Sequence, residues 1–138
     1  MHDWLALLDA ERHGLALGNP ASDAELADAE EQLSQPLPAE LASLLRVANG
    51  FDDSSGQWQC SWDTRRIASE NLQMWANDIL PDSRLAFGDN GAGDPFCVIL
   101  HGESEGEIEE WSPIEMEANR SWPDLATFWC DWLGPGRA

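Results

Sequence analysis

Two stretches of the chain hold the residue types that could do chemistry. The first is Gly88-Asp89-Asn90-Gly91-Ala92-Gly93-Asp94-Pro95. Glycines let backbone amides approach an anion closely, and loops that cradle phosphate use them in this way. Here the spacing fits neither the dinucleotide fingerprint nor the P-loop, no lysine follows, and Asp89 and Asp94 would repel a phosphate. A calcium loop fails too, because Leu100 stands where the bidentate glutamate belongs. The stretch therefore reads as a tight turn. The second is the run Glu103, Glu105, Glu107, Glu109 and Glu110. Paired carboxylates can hydrolyse glycosides, but alternating acids on a solvated hairpin explain the same pattern, and the hairpin is the preferred reading.

Nucleophilic catalysis needs a Ser or Cys beside a His base and an orienting carboxylate. No Gly-x-Ser-x-Gly elbow is present, and His2 and His13 sit in no loop of active-site character. His101 is four residues from Cys97, about 13 Å along a strand and beyond hydrogen-bond reach. Cys60, Cys97 and Cys130 share no ligand spacing with the histidines, so neither a metal nor a cofactor is expected. Cys97 and Cys130 read as small core residues.

Charge points in one direction. The 138 residues hold 26 Asp and Glu against 7 Arg and no Lys, for a formal charge of −19. The excess is even: −7 over residues 1–50, −5 over 51–100 and −7 over 101–138. The folded body itself is acidic, with no acidic tail on a neutral domain. Nucleic acid and anionic membrane are disfavoured partners, whereas a basic protein would be attracted and steered. Solubility alone would explain the same charge. An apolar content of 43% allows a single domain that buries about 68% of its surface. No apolar run is long enough to span a bilayer. Met1-His2-Asp3-Trp4 lacks the character of a secretory signal, and the cysteines are odd in number. Together these give the expectation of a reducing, cytoplasmic setting. Oligomeric state is left open.

The elements that must position these residues follow from periodicity. Helical spacing covers 3–13, ended by Gly14. Ser22 to Glu25 has the form of a capping box opening a helix over about 23–34. Leu37-Pro38 opens a third helix, with Leu41, Leu44, Leu45 and Ala48 on one face and Asn49-Gly50 as its stop. Phe51 to Gly56 is rich in turn residues, and Trp58, Cys60 and Trp62 alternate with polar residues as a strand does. A helix over 67–77, strands over 85–87, 96–100 and 107–111, and a hairpin loop over 101–106 follow. Ser121-Trp122-Pro123-Asp124 caps a last helix whose face is Trp122, Leu125, Phe128, Trp129, Trp132 and Leu133. Helices first, then strands joined by short turns, then a closing helix predict an α+β domain: an antiparallel sheet with helices packed on one face. Trp75, Trp122, Trp129 and Trp132 read as core. Trp58 and Trp62 lie beside Asp52, Asp53 and Asp63, and aromatic anchors within an acidic rim are how interface hot spots look. A sheet face covered by helices explains them equally well.

Taken in order, several pieces resemble the SUKH superfamily, in its Smi/Knr cell-wall-assembly-regulator branch. They are Leu37-Pro38 before a helix ending in Asn49-Gly50, then Leu85-Ala86-Phe87-Gly88-Asp89-Asn90-Gly91-Ala92-Gly93-Asp94-Pro95-Phe96. The segment Gly106 to Trp111, similar to a Gly-x-Val-x-x-Trp pattern with Ile108 at the Val position, and a final helix with Phe128 complete the series. The likeness spans about residues 22–133. It implies an α+β fold without catalysis. It also implies an immunity protein that binds a toxin, often a nuclease, as most bacterial members do, or else a regulatory binding module. A nuclease must be cationic to hold nucleic acid, and an acidic protein can occupy its cleft. The expected partner is thus a basic protein, most simply a cognate toxin. The expected contact face comprises Asp52, Asp53, Trp58, Trp62, Asp63, Asp89, Asp94, Glu103, Glu105, Glu107, Glu109 and Trp111. The alternatives are a regulatory interaction module without a toxin and a small carboxylate-dependent hydrolase.

Overall fold

A computed structural model describes residues 3–53 and 61–134. The N-terminal helical stretch is two short helices, α1 (Trp4–Leu8) and α2 (Ala10–His13), separated by Asp9 in the left-handed conformation at φ 41°. The single helix expected over 3–13 is thus broken, and the chain turns to lay Leu15 into strand β1 (Leu15–Leu17). Helix α3 (Asp23–Leu33) begins at the capping box: Glu25 N–H donates to Ser22 Oγ (3.1 Å) and Ser22 N–H donates to Glu25 Oε1 (2.9 Å). Helix α4 (Ala39–Leu45) is shorter than expected and ends at Arg46. Asn49 is a junction rather than a helix stop: its Oδ1 accepts from Thr64 N–H at 2.9 Å. Gly50, at φ +87°, passes so close to Asp63 that a β-carbon there would lie 2.9 Å from its amide nitrogen. Strand β2 (Phe51–Asp53) then pairs antiparallel with β1, where only turn residues were expected.

Helix α5 (Thr64–Ala76) starts at the Asp63 cap and leads into the main sheet. That sheet is antiparallel, in the order β3 (Arg84–Asp89), β4 (Pro95–Ile99), β5 (Ile108–Ser112), β6 (Glu117–Trp122). Strand β6 was not expected. Four of its six residues are exposed, so it carries no apolar alternation, and it gives Trp122 to the sheet rather than to a helix. Helix α6 (Leu125–Leu133) is capped by Asp124, whose Oδ1 accepts from Thr127 N–H at 2.7 Å.

Register explains the core. Leu85, Val98, Ile108 and Trp122 align across the four strands on one face. With Phe87 and Phe96 they meet α6, whose Phe128 and Trp129 sit 4.7 Å apart, ring centre to ring centre, with Phe96 4.7 Å from Phe128. Edge-to-face packing of this kind adds to the burial of apolar area. Cys97 is in the interior as expected, but Cys130 is exposed, on the outer side of α6. Helix α5 runs along the outer edge of β3. Asn71, fully buried, accepts from Ala86 N–H and donates to Ala86 carbonyl, both at 2.7 Å, and Trp75 Nε1 donates to Arg84 carbonyl at 2.8 Å. Trp62 N–H donates to Phe87 carbonyl at 2.7 Å. Four backbone groups along this edge strand, from Arg84 to Phe87, are thereby paired. Among the described residues no helix is long and apolar enough to cross a membrane.

Candidate functional site

The residues expected to bind a partner fall into two places. One is a cleft of 310 Å³ between the β1–β2 ribbon and the start of α5, lined by Ala16, Asp52, Ser61, Trp62, Asp63 and Arg66. Asp52 faces outward because it pairs with Ala16, while its neighbours Phe51 and Leu15 turn inward. Asp63 is exposed and caps α5, accepting from Arg66 N–H at 2.9 Å. Asp53 is half-buried next to Asp52. Trp62 is buried at 4% exposure and is not a surface anchor. Its Nε1 donates to Asp89 Oδ2 at 3.1 Å, and the Arg66 guanidinium lies 4.7 Å over its ring and 3.7 Å from the same oxygen. The Ser61 hydroxyl is buried with no hydrogen-bond partner among the described residues. Trp58 lies outside the described residues.

The Asp89–Asp94 turn adjoins this cleft through Asp89. It is held by its own side chains: Asp89 Oδ1 accepts from Gly91 N–H and Asn90 Oδ1 from Ala92 N–H, both at 2.8 Å, and Asn90 Oδ1 accepts from Asp94 N–H at 3.3 Å. The amides that would cradle an anion are therefore occupied. Asp94 accepts from Asn90 Nδ2 at 3.3 Å, and the same amide nitrogen donates to Glu110 Oε2 at 3.0 Å.

The second place is the 100–107 connection, at the opposite end of β4. Four residue steps separate Pro95 from Ile99, about 13 Å of strand, so the expected single contact face divides into two regions. Glu103 and Glu105 are exposed there and Glu107 is half-buried. Glu109 and Glu110 are not part of a solvated hairpin. Both are buried in β5, at 9% and 6% exposure, Glu109 paired with Arg84 and Glu110 with Arg120 Nε at 3.3 Å. A buried carboxylate needs such a partner. The hydrogen bond to Glu109 raises the Arg84 pKa above its ordinary value. Trp111 is buried, with Nε1 donating to Ile79 carbonyl at 3.0 Å and Arg84 over its ring at 5.2 Å. Glu109, Trp111 and Trp62 are thus buried, not the exposed side chains the sequence suggested. The cause is the same each time: an arginine or backbone partner from a neighbouring element.

Sequence reasoning missed the groove beneath the 100–107 connection, whose volume is 450 Å³. Leu37-Pro38, read only as a helix start, forms one wall together with Pro36. The sole signal was a proline pair next to an apolar face. Among the described residues no group of three His, Cys, Asp or Glu side chains could hold a metal ion.

A model of the SMI1 / KNR4 family (SUKH-1) matches residues 20–131, close to the span over which the sequence pieces align. No curated protein matches the chain.

Proposed function

The chain belongs to the SMI1 / KNR4 family (SUKH-1), and from that premise we propose that it is a non-catalytic, cytoplasmic immunity protein. It neutralises a basic protein toxin, in the simplest case a nuclease, by direct contact. One observation carries the reading: four of the seven arginines are turned onto the fold's own acids. Arg46 pairs with Asp23, Arg66 with Glu70 and Asp89, Arg84 with Glu109, and Arg120 with Glu110. These pairs leave the exposed carboxylates of both candidate regions facing outward on a body of formal charge −19. Such a field favours capture of a cationic protein and penalises nucleic acid. The buried carboxylates Glu109 and Glu110 are held by arginines, an arrangement that serves structure better than proton transfer to a substrate.

The test is co-purification with the basic protein encoded beside this chain, repeated from low to high salt, with a growth assay in which that protein is expressed alone and together with this one. Binding that weakens with salt, together with rescued growth, is the expected result. Binding without rescue would shift the reading to a regulatory module. Absence of binding would remove it.

A further inference from the structure

We propose that the groove beneath the 100–107 connection is a docking slot for a short segment of the basic partner, with an apolar residue flanked by Lys or Arg. This rests on the reading of a basic protein partner given above. The floor is apolar, formed by Leu37, Leu41, Phe87, Val98, Ile108 and Leu125. A floor of this kind rewards an aliphatic or aromatic anchor. The rim carries Glu40, His101 and Glu105, and among the described residues no arginine lines the groove. Both Glu40 oxygens accept from the first amides of α6, Leu125 at 2.8 Å and Ala126 at 3.1 Å. The outward charge is therefore that of Glu105 and its neighbour Glu103, both exposed.

Charge decides the occupant. An acidic segment, or a second copy of a chain at −19, would add like charge to this rim, whereas Lys or Arg beside the anchor would be attracted. The walls are stiff. Pro36 and Pro38 fix one side, and the connection opposite is closed by Gly106 N–H donating to Ile99 carbonyl at 2.8 Å and Glu107 N–H to Ser104 carbonyl at 3.0 Å. A preformed slot lowers the ordering cost of binding. Charge brings the partner to the molecule, and this groove holds one point of it in register.

The test uses three capped peptides, Arg-Leu-Leu-Arg, Arg-Ser-Ser-Arg and Glu-Leu-Leu-Glu, titrated into the labelled protein while amide NMR shifts are followed. The expected result is saturable shifts at Leu100, His101 and Gly106 with the first peptide. Binding of the other two should be weaker by at least about tenfold. Ala39→Trp, which fills the groove from the rim, and Glu105→Lys, a change on an exposed turn, should each weaken the first peptide similarly. Equal binding of all three peptides, or shifts gathered at Asp52 and Asp63, would overturn the slot. Capture of the neighbouring basic protein that is unchanged in both variants would also overturn it and leave the immunity reading intact. Failure of the wild-type protein to capture that partner would overturn the immunity reading, while the peptide titration still decides the groove.

Discussion

Asn71 grips Ala86 with both ends of its amide, Oδ1 taking the backbone N–H and Nδ2 the carbonyl, each at 2.7 Å. Nδ2 also donates to Ile67 carbonyl in its own helix at 2.7 Å. A helix side chain thus stands in for the missing neighbour of an edge strand. Asn71→Ala would leave two buried backbone groups of β3 without partners, at roughly 1–3 kcal/mol each. Urea unfolding should show a loss of about 2–5 kcal/mol. Asn71→Asp, which keeps the acceptor and loses the donor, should fall no lower than alanine unless its charge stays ionised.

Glu40 ties α4 to α6 across 85 residues of sequence by accepting from the Leu125 and Ala126 amides. It does the work of a helix N-cap from a distant element and places negative charge at the positive end of the helix. Glu40→Ala should lower stability by about 1–2 kcal/mol, and Glu40→Gln by less, since one oxygen remains. Thermal unfolding followed by circular dichroism checks the order.

The two described cysteines should differ in reactivity. Cys130 is exposed. Cys97 is buried, and burial first, then the nearby Glu109 charge, pushes its thiol above the ordinary value near 9. Iodoacetamide at pH 8 should therefore modify Cys130 while Cys97 stays protected until urea opens the fold, as peptide mapping would reveal. The sign of the pH effect follows. A raised folded pKa gives stability that is complete below pH 9 and lost as pH climbs above it, because only the unfolded thiol can then ionise. Cys97→Ala should flatten that alkaline decline.

Charge reversal should report which end of β4 meets the partner first. Asp52→Lys tests the cleft and Glu103→Lys the 100–107 connection. The variant on the contacting side should slow association several-fold at low salt, with the difference fading as salt rises, because surface fields are screened within about 8 Å at physiological ionic strength. Stopped-flow mixing with the basic partner reads this directly. Equal rates for both variants and the wild type would show that neither region steers.

Much of the scaffold was legible because local signals matched tertiary ones. The Ser22–Glu25 box, the apolar run Phe96 to Ile99 and the aromatic face of α6 each carry their own physical reason. What escaped depended on distant partners. Glu109 and Glu110 look solvated until Arg84, 25 residues away, and Arg120 fold against them. Strand β6 has no pattern to read because water covers most of it. The α1–α2 break hangs on one residue, Asp9, whose positive φ no spacing rule anticipates. The acidic segments were visible individually, but their division between two ends of β4 needed the strand order. The groove could not be found from spacing at all, since its lining comes from residues 35–41, 87, 98–101, 105, 106, 108 and 125.

The sheet ends differently on its two sides. Beside β3, side chains from α5 close the ladder. Beside β6 a largely wetted strand borders the solvent. Among the described residues, then, the β6 flank alone is open to addition of a foreign strand. At neutral pH the surplus of carboxylates keeps identical molecules apart. Acidification towards the isoelectric point, near 4.1, removes that mutual repulsion while leaving the Glu117–Trp122 flank uncovered, so clustering in acid should start there.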